Sequence, residues 1–392
     1  MSLTNLWLNS PEQITDKSVA QIIAFAGEGR LRDGSKASDD FRLLLSHLPS
    51  AFLERYADEC LKTAITDGGF ALQDVINEIG VRLGFTVEHG RYKGVVGKVG
   101  NDGLWRLPDG YCILVEVKTT DAYRIDLNKI AQYRRSLIVD NSMAAEASSL
   151  LVIVGREDTG DLEAQIRGSR HAWEMRLISV DALCRLMKVK EQVEDPVITK
   201  RIYEILIPRE FTKLDAIIDI LFSATEEVQQ QDEGDIPPED LDGQPDQTST
   251  KLTPVAFNDQ CISRIEQHLG KKLVKRSKIK FATPDNSLAV VCAVSKVHER
   301  YSQPYFWYAF HPHQQEFLES ANRSYLALGC GSEANLLLIP FSDFQQWLAG
   351  MNITQKDDRF YYHIQVSQEN SKFLLVRRKG QPKIDLTKYL LK

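Results

Sequence analysis

What most constrains this chain is a stretch that has little with which to fold. Thr225 to Thr250 reads TEEVQQQDEGDIPPEDLDGQPDQTST. Between Glu226 and Asp246 it carries nine acidic residues and no basic one. So few apolar side chains cannot repay the entropy of ordering the backbone. The spacing therefore predicts a flexible linker over 225–252, and the 392 residues divide around it. Charge divides in the same place. From Lys251 onward there are 20 Lys and Arg against 12 Asp and Glu, a net of +8, whereas residues 1–250 carry a net of −14. An acidic front, an acidic connector and a basic back are joined in one chain. A basic domain is the electrostatic footprint that nucleic acid requires, although a solvated basic face carries the same charge.

Before the linker, apolar residues recur at helical spacing through residues 1–66: Val19, Ile22 and Ile23, then Phe41, Leu44, Leu45 and Leu48, then Phe52, Tyr56 and Leu61. Gly68-Gly69 interrupts this segment. Leu72, Val75, Ile76, Ile79 and Leu83 then share one face of a further helix. A β-rich stretch over 86–118 follows, then a helix over 126–138, a strand over 150–154, a helix over 162–170, a strand over 175–180 and a helix over 181–188. That order describes an α/β domain over 67–224, a mixed sheet flanked by helices. Residues 253–392 read as a separate α+β domain, with strands at 287–294, 326–328, 335–339 and 360–366 and a helix at 341–348. No apolar run approaches the ~20 residues that span a bilayer. The first residues lack the basic region and apolar core of a signal peptide. Six scattered cysteines with no CxxC pair suit reduced thiols. The expected setting is the cytoplasm, with no membrane partner.

The chemistry sits in Asn101–Lys118, NDGLWRLPDGYCILVEVK. Pro108-Asp109-Gly110 is a turn signal between two strand-like runs. With a three-residue loop, Leu107 pairs with Tyr111 and Asp102 lies opposite Glu116. Side chains alternate along a strand, so Glu116 and Lys118 share a face. Two carboxylates about 5 Å apart repel each other. A divalent cation relieves that repulsion, and Mg²⁺ favours a few carboxylates plus water and phosphate oxygens. Lys118 can hold a water and offset phosphate charge. The plainer account is a surface hairpin with a solvated acid and a salt-bridged lysine. Asp109, although it follows a proline, is turn chemistry.

Asp102, thirteen residues, then Glu116-Val117-Lys118 resembles the signature of the PD-(D/E)xK restriction-endonuclease-like nucleases, over roughly residues 67–190. Asn101 stands where that signature has proline. The resemblance implies a restriction-endonuclease-like mixed sheet. It also implies phosphodiester hydrolysis with Mg²⁺, Mn²⁺ being able to substitute, and double-stranded DNA as substrate. Asp102 and Glu116 would be metal ligands and Lys118 the catalytic lysine. An acid on the preceding helix often completes such sites; on the helical wheel Glu78 is the candidate, with Asp74 the weaker alternative. Thr119, Thr120, Gln132-Tyr133 and the group Arg167, Arg170 and His171 are lesser candidates. The expected function is a Mg²⁺-dependent endodeoxyribonuclease, type II-like or modification-dependent, in restriction or host defence, with a homodimer among its assemblies. The alternatives are the same chemistry on RNA, or a non-catalytic binding or scaffold protein that keeps the fold.

In the C-terminal domain, Lys271–Lys280 holds six basic residues in ten, including Lys271, Lys272, Lys275, Arg276 and Lys278. The run Tyr305-Phe306-Trp307-Tyr308 follows it. Basic residues beside aromatics suit phosphate contacts with base stacking, and Trp307 is the candidate ring. Alternation along a strand is expected to send at least half of the run into a core, with the lysines solvating an edge. His311-Pro312-His313 lacks partner ligands for a metal.

Overall fold

The computed structural model describes residues 2–93, 100–119, 125–140, 142–155, 160–193, 195–208, 254–300, 303–356 and 359–391. The expected linker lies outside these residues. The chain is mixed α/β and separates into two compact units, Met1–Phe222 and Ser223–Lys392. Among the described residues no helix is long and apolar enough to cross a membrane.

The first unit begins with five helices: α1 (Leu3–Asn9), α2 (Glu12–Thr15), α3 (Val19–Phe25), α4 (Lys36–His47) and α5 (Ser50–Lys62). Their apolar stripes pack with the long α6 (Gly68–Leu83) into one core. The N-terminal segment is thus part of the first unit's own packing. Ser2, Ser18 and Ser35 each accept a backbone N–H at the start of α1, α3 and α4, satisfying donors that a helix leaves open.

A five-stranded sheet follows in the order β1 (Thr86–His89), β2 (Gly103–Arg106), β3 (Cys112–Lys118), β4 (Ser148–Val154) and β5 (Met175–Ser179). The first three strands are antiparallel, and β3, β4 and β5 are parallel. Helices α7 (Leu127–Val139) and α8 (Gly160–Arg167) make the parallel crossovers; α9 (Val180–Gln192) and α10 (Pro196–Leu206) follow β5. Period-two alternation divides the sheet between two cores. Trp105, Ile113 and Val115 pack with α6. Leu104, Cys112 and Leu114 pack with Leu127, Ile130, Leu162 and Ile166 of α7 and α8 and the segment before α7. β3 is covered on both faces, as its nearly unbroken apolar run requires.

The second unit has three layers. Helix α11 (Pro254–Leu269) lies on one face of a mixed sheet ordered β12-β11-β8-β7-β6. These strands are β6 (Val274–Lys275), β7 (Lys280–Ala282), β8 (Leu288–Ser295), β11 (Arg323–Cys330) and β12 (Leu336–Pro340). A second, antiparallel sheet is ordered β16-β15-β14-β10-β9, with β13 on the start of β14. Its strands are β9 (His298–Arg300), β10 (Gln303–Phe310), β13 (Asn352–Lys356), β14 (Arg359–Glu369), β15 (Lys372–Val376) and β16 (Ile384–Asp385). Phe306, Tyr308 and Phe310 of β10 meet Ala289, Val291, Leu326 and Leu328 in a shared core. Helices α12 (Pro312–Glu319) and α13 (Phe341–Gln345) complete the unit.

Candidate active site

The β2–β3 hairpin turns at Pro108-Asp109-Gly110. Asp109 accepts the amide N–H of Tyr111, and the Leu107 N–H donates to the Tyr111 carbonyl. Gly110 takes φ +89°, a left-handed conformation that glycine adopts at little cost. The pairing runs from Arg106↔Cys112 to Gly103↔Val115, and one step further brings Asp102 level with Glu116. The backbone N–H of Asp102 donates to the Val115 carbonyl at 3.1 Å. The backbone N–H of Val117 donates to Asp102 Oδ2 at 2.7 Å. The register expected from the turn is the one found.

Asp102 and Glu116 lie on the sheet face whose neighbours, Leu104 and Leu114, pack against α7 and α8. Glu116 is only 7% exposed. Lys118 Nζ meets Glu116 Oε1 at 2.5 Å. The other oxygen, Glu116 Oε2, is buried with no hydrogen-bond partner among the described residues. Burial, and next the negative charge of Glu116, push the Asp102 carboxyl up to about 7; the Val117 N–H and the Lys118 charge oppose that rise. The pair is therefore short of positive charge, and one oxygen has no donor. A cation such as Mg²⁺ would fit this donor set, with hard oxygens from two carboxylates and room in the coordination shell for water and phosphate. Among the described residues no group of three or more His, Cys, Asp or Glu could hold a metal, so the site offers two protein carboxylates.

Glu78 is not part of this arrangement. It pairs with Arg82 one turn along α6 at 2.7 Å, and Arg82 also donates to the carbonyls of Leu45, Ser46 and Leu48. A buried arginine needs a carboxylate, and α6 covers the sheet face opposite the pair. Asp74 is also occupied, by Arg42 at 2.8 Å, by the Tyr92 hydroxyl and by His89 at 3.5 Å. What α6 does bring to the hairpin are two amides that the sequence reading missed. Gln73 Nε2 and Asn77 Nδ2 each donate to the backbone carbonyl of Asp102 at 2.9 Å. Two amides one turn apart on α6, beside the apolar face of Leu72, Val75, Ile76 and Ile79, were the available signal.

The lesser candidates are scattered. Gln132 is exposed on α7, while Thr120 lies outside the described residues. His171 is buried between Glu174 at 3.2 Å and Asn128 at 3.1 Å, and Arg170 also donates to Asn128. That network ties the start of α7 to the approach to β5.

In the second unit Lys271 is exposed, and Lys272 pairs with Glu266 at 2.8 Å. Lys275 lies in β6, and Arg276 donates to the carbonyls of Thr283 and Pro284. Lys278 is half-buried. Trp307 corrects the expectation of a base-stacking ring. It is 6% exposed, lies edge-on to Tyr361 and His363, and donates to His363 Nδ1 at 3.3 Å. Those neighbours cover the surface that a base would need. His311 and His313 stack at 5.4 Å, and Lys280 meets His313 Nδ1 at 2.8 Å. Burial and that ammonium push the His313 imidazole down to about 3. Compared with family models, curated proteins and solved structures, the chain has no match.

Proposed function

We propose that the first unit is a Mg²⁺-dependent nuclease of the PD-(D/E)xK kind, hydrolysing phosphodiester bonds in double-stranded DNA. The observation that carries this reading is the unpartnered, buried Glu116 Oε2 beside Asp102, with Lys118 on the neighbouring oxygen. The order of helix, antiparallel hairpin and parallel strands around the pair supports a restriction-endonuclease-like arrangement. A bound Mg²⁺ would supply Lewis-acid polarisation of the phosphate and acidify a water. Asp102 and Glu116 would hold it. Lys118, a third exposed at its side chain, presents an ammonium to solvent beside the pair. There it offsets phosphate charge and orients a water for in-line attack. By likeness to the family, the product carries a 5′-phosphate.

The second unit, whose sequence from Lys251 onward carries a net of +8, is proposed to hold the DNA. Its lysines contact phosphates and position the duplex. In this reading the chain is a restriction or host-defence enzyme.

The test is cleavage of labelled duplex DNA and of RNA by the full chain with Mg²⁺ and with EDTA, alongside Glu116→Gln and Lys118→Ala. Metal-dependent DNA cleavage that both variants lose is expected. RNA cleavage alone would redirect the same chemistry. Full activity in either folded variant would remove that residue's role, and no cleavage of either substrate would leave a non-catalytic binding protein.

A further inference from the structure

We propose that Gln73 and Asn77 are positioning residues, acting through the backbone carbonyl of Asp102 from the far face of the sheet to hold its carboxylate beside Glu116. This rests on the reading of the pair as a metal site.

Gln73 and Asn77 are 3% and 1% exposed. Burying an amide is costly unless it is hydrogen-bonded, and both direct their donors to a single atom. The Asp102 carbonyl accepts Gln73 Nε2 and Asn77 Nδ2 at 2.9 Å each and the Gly90 backbone N–H at 3.1 Å. An ordinary strand carbonyl takes one such bond. Asn77 is itself oriented, because Trp105 Nε1 donates to its Oδ1 at 2.9 Å. An indole nitrogen only donates, so the Asn77 oxygen must face Trp105 and its NH₂ must face Asp102. The chain of donors runs from Trp105 to Asn77 to Asp102.

Two glycines let the helix come this close. A Cβ on Gly103 would stand 2.2 Å from Asn77 Oδ1, and a Cβ on Gly80 would stand 2.6 Å from the Trp105 ring. The geometry thus clamps the peptide at the end of β2 from the α6 side. On the other side the Asp102 carboxylate takes the Val117 N–H and faces Glu116. Two carboxylates left to themselves would swing apart. With the peptide fixed, Asp102 cannot turn away by moving its backbone, and the two-carboxylate site is kept ready for a cation.

The experiment uses the full chain with Gln73→Met and Asn77→Leu, which remove the donors and keep most of the volume. Two quantities are read: Mn²⁺ affinity by titration, and the Val117 amide proton in metal-free protein with ¹⁵N-valine labelling. Groups that orient metal ligands change affinity by about 10–100-fold. Mn²⁺ binding is therefore expected to weaken about tenfold in Asn77→Leu and several-fold in Gln73→Met. The Val117 resonance should move upfield and its exchange quicken, as the Asp102 carboxylate leaves it. If the amides only stabilise the fold, the denaturation midpoint falls while Mn²⁺ affinity and the Val117 resonance stay as in wild type. That result overturns the proposal. Should Asn77→Leu fail to fold, Gln73→Met decides. A wild-type chain that binds no Mn²⁺ would remove the metal reading itself, and an unmoved Val117 amide would then separately overturn the positioning role.

Discussion

Replacing Asp102 with asparagine should stabilise the protein, by an amount that grows as pH rises between the unfolded and folded values of its carboxyl and levels off above neutral pH. The Asp102 carboxyl is pushed up to about 7 from 3.8 by burial and by the Glu116 charge. The folded state therefore binds a proton that the unfolded chain releases at lower pH. The sign follows: stability is greatest below the unfolded value and is lost as pH rises through the folded one. At about 1.4 kcal/mol for each pH unit between the two values, the folded state gives up as much as roughly 4 kcal/mol above pH 7. An asparagine side chain at this position keeps an oxygen for the Val117 N–H and removes the ionisation. Asp102→Asn should thus gain up to ~4 kcal/mol at pH 8 and almost nothing at pH 4. The chain has two units, so urea unfolding should be followed by hydrogen exchange of the 102–118 segment, because one global transition would mix the two. Mg²⁺ should stabilise wild type more than the variant, by preferential binding to the folded state. A gain of equal size at both pH values, or no gain at pH 8, would refute the account of the pair as a strained, cation-seeking site.

Two further outcomes are expected. Glu78→Ala should cost about 3 kcal/mol by leaving the Arg82 charge buried without its carboxylate, yet leave Mn²⁺ affinity unchanged in a titration; weaker metal binding by the folded variant would return Glu78 to the site. Replacing Lys271, Lys272 and Lys275 with glutamine should flatten the log–log salt dependence of DNA binding by about 2, since each freed phosphate contact contributes ~0.9 and Lys272 is already engaged by Glu266; an unchanged slope in a fluorescence-anisotropy salt series would mean these lysines are only a solvated face.

The hairpin could be read from sequence because its information is local. A turn tripeptide fixes the loop, period-two alternation fixes the faces, and both lie within Asp102–Lys118. The partners of Glu78 are not of that kind. A helical wheel puts it at the margin of the apolar face, but only the folded chain shows carbonyls at the end of α4 and beyond it gathering Arg82. The same holds for Trp307. Alternation correctly sends Phe306, Tyr308 and Phe310 to one core. It implies an open face for Trp307, where Tyr361 and His363, more than fifty residues later in the chain, come to cover it. Gln73 and Asn77 lie outside the apolar stripe of α6 on a helical wheel, and only the folded chain shows them buried. Their target, a main-chain oxygen, has no side-chain identity to find in a sequence.

The division of the sheet into an α6 face and an α7–α8 face also sets which insertions and deletions this gene can tolerate. One residue added within Cys112–Val115 would rotate Glu116 and Lys118 onto the α6 side, among Val75, Ile76 and Ile79, and separate them from Asp102. One residue added at Pro108–Gly110 would meet open space, since a Cβ on Gly110 has nothing within 4 Å, and the strands beyond it would keep their pairing. Length variation in a lineage carrying this hairpin should therefore collect at the turn and be purged from the strands, at a boundary only two residues from the tip.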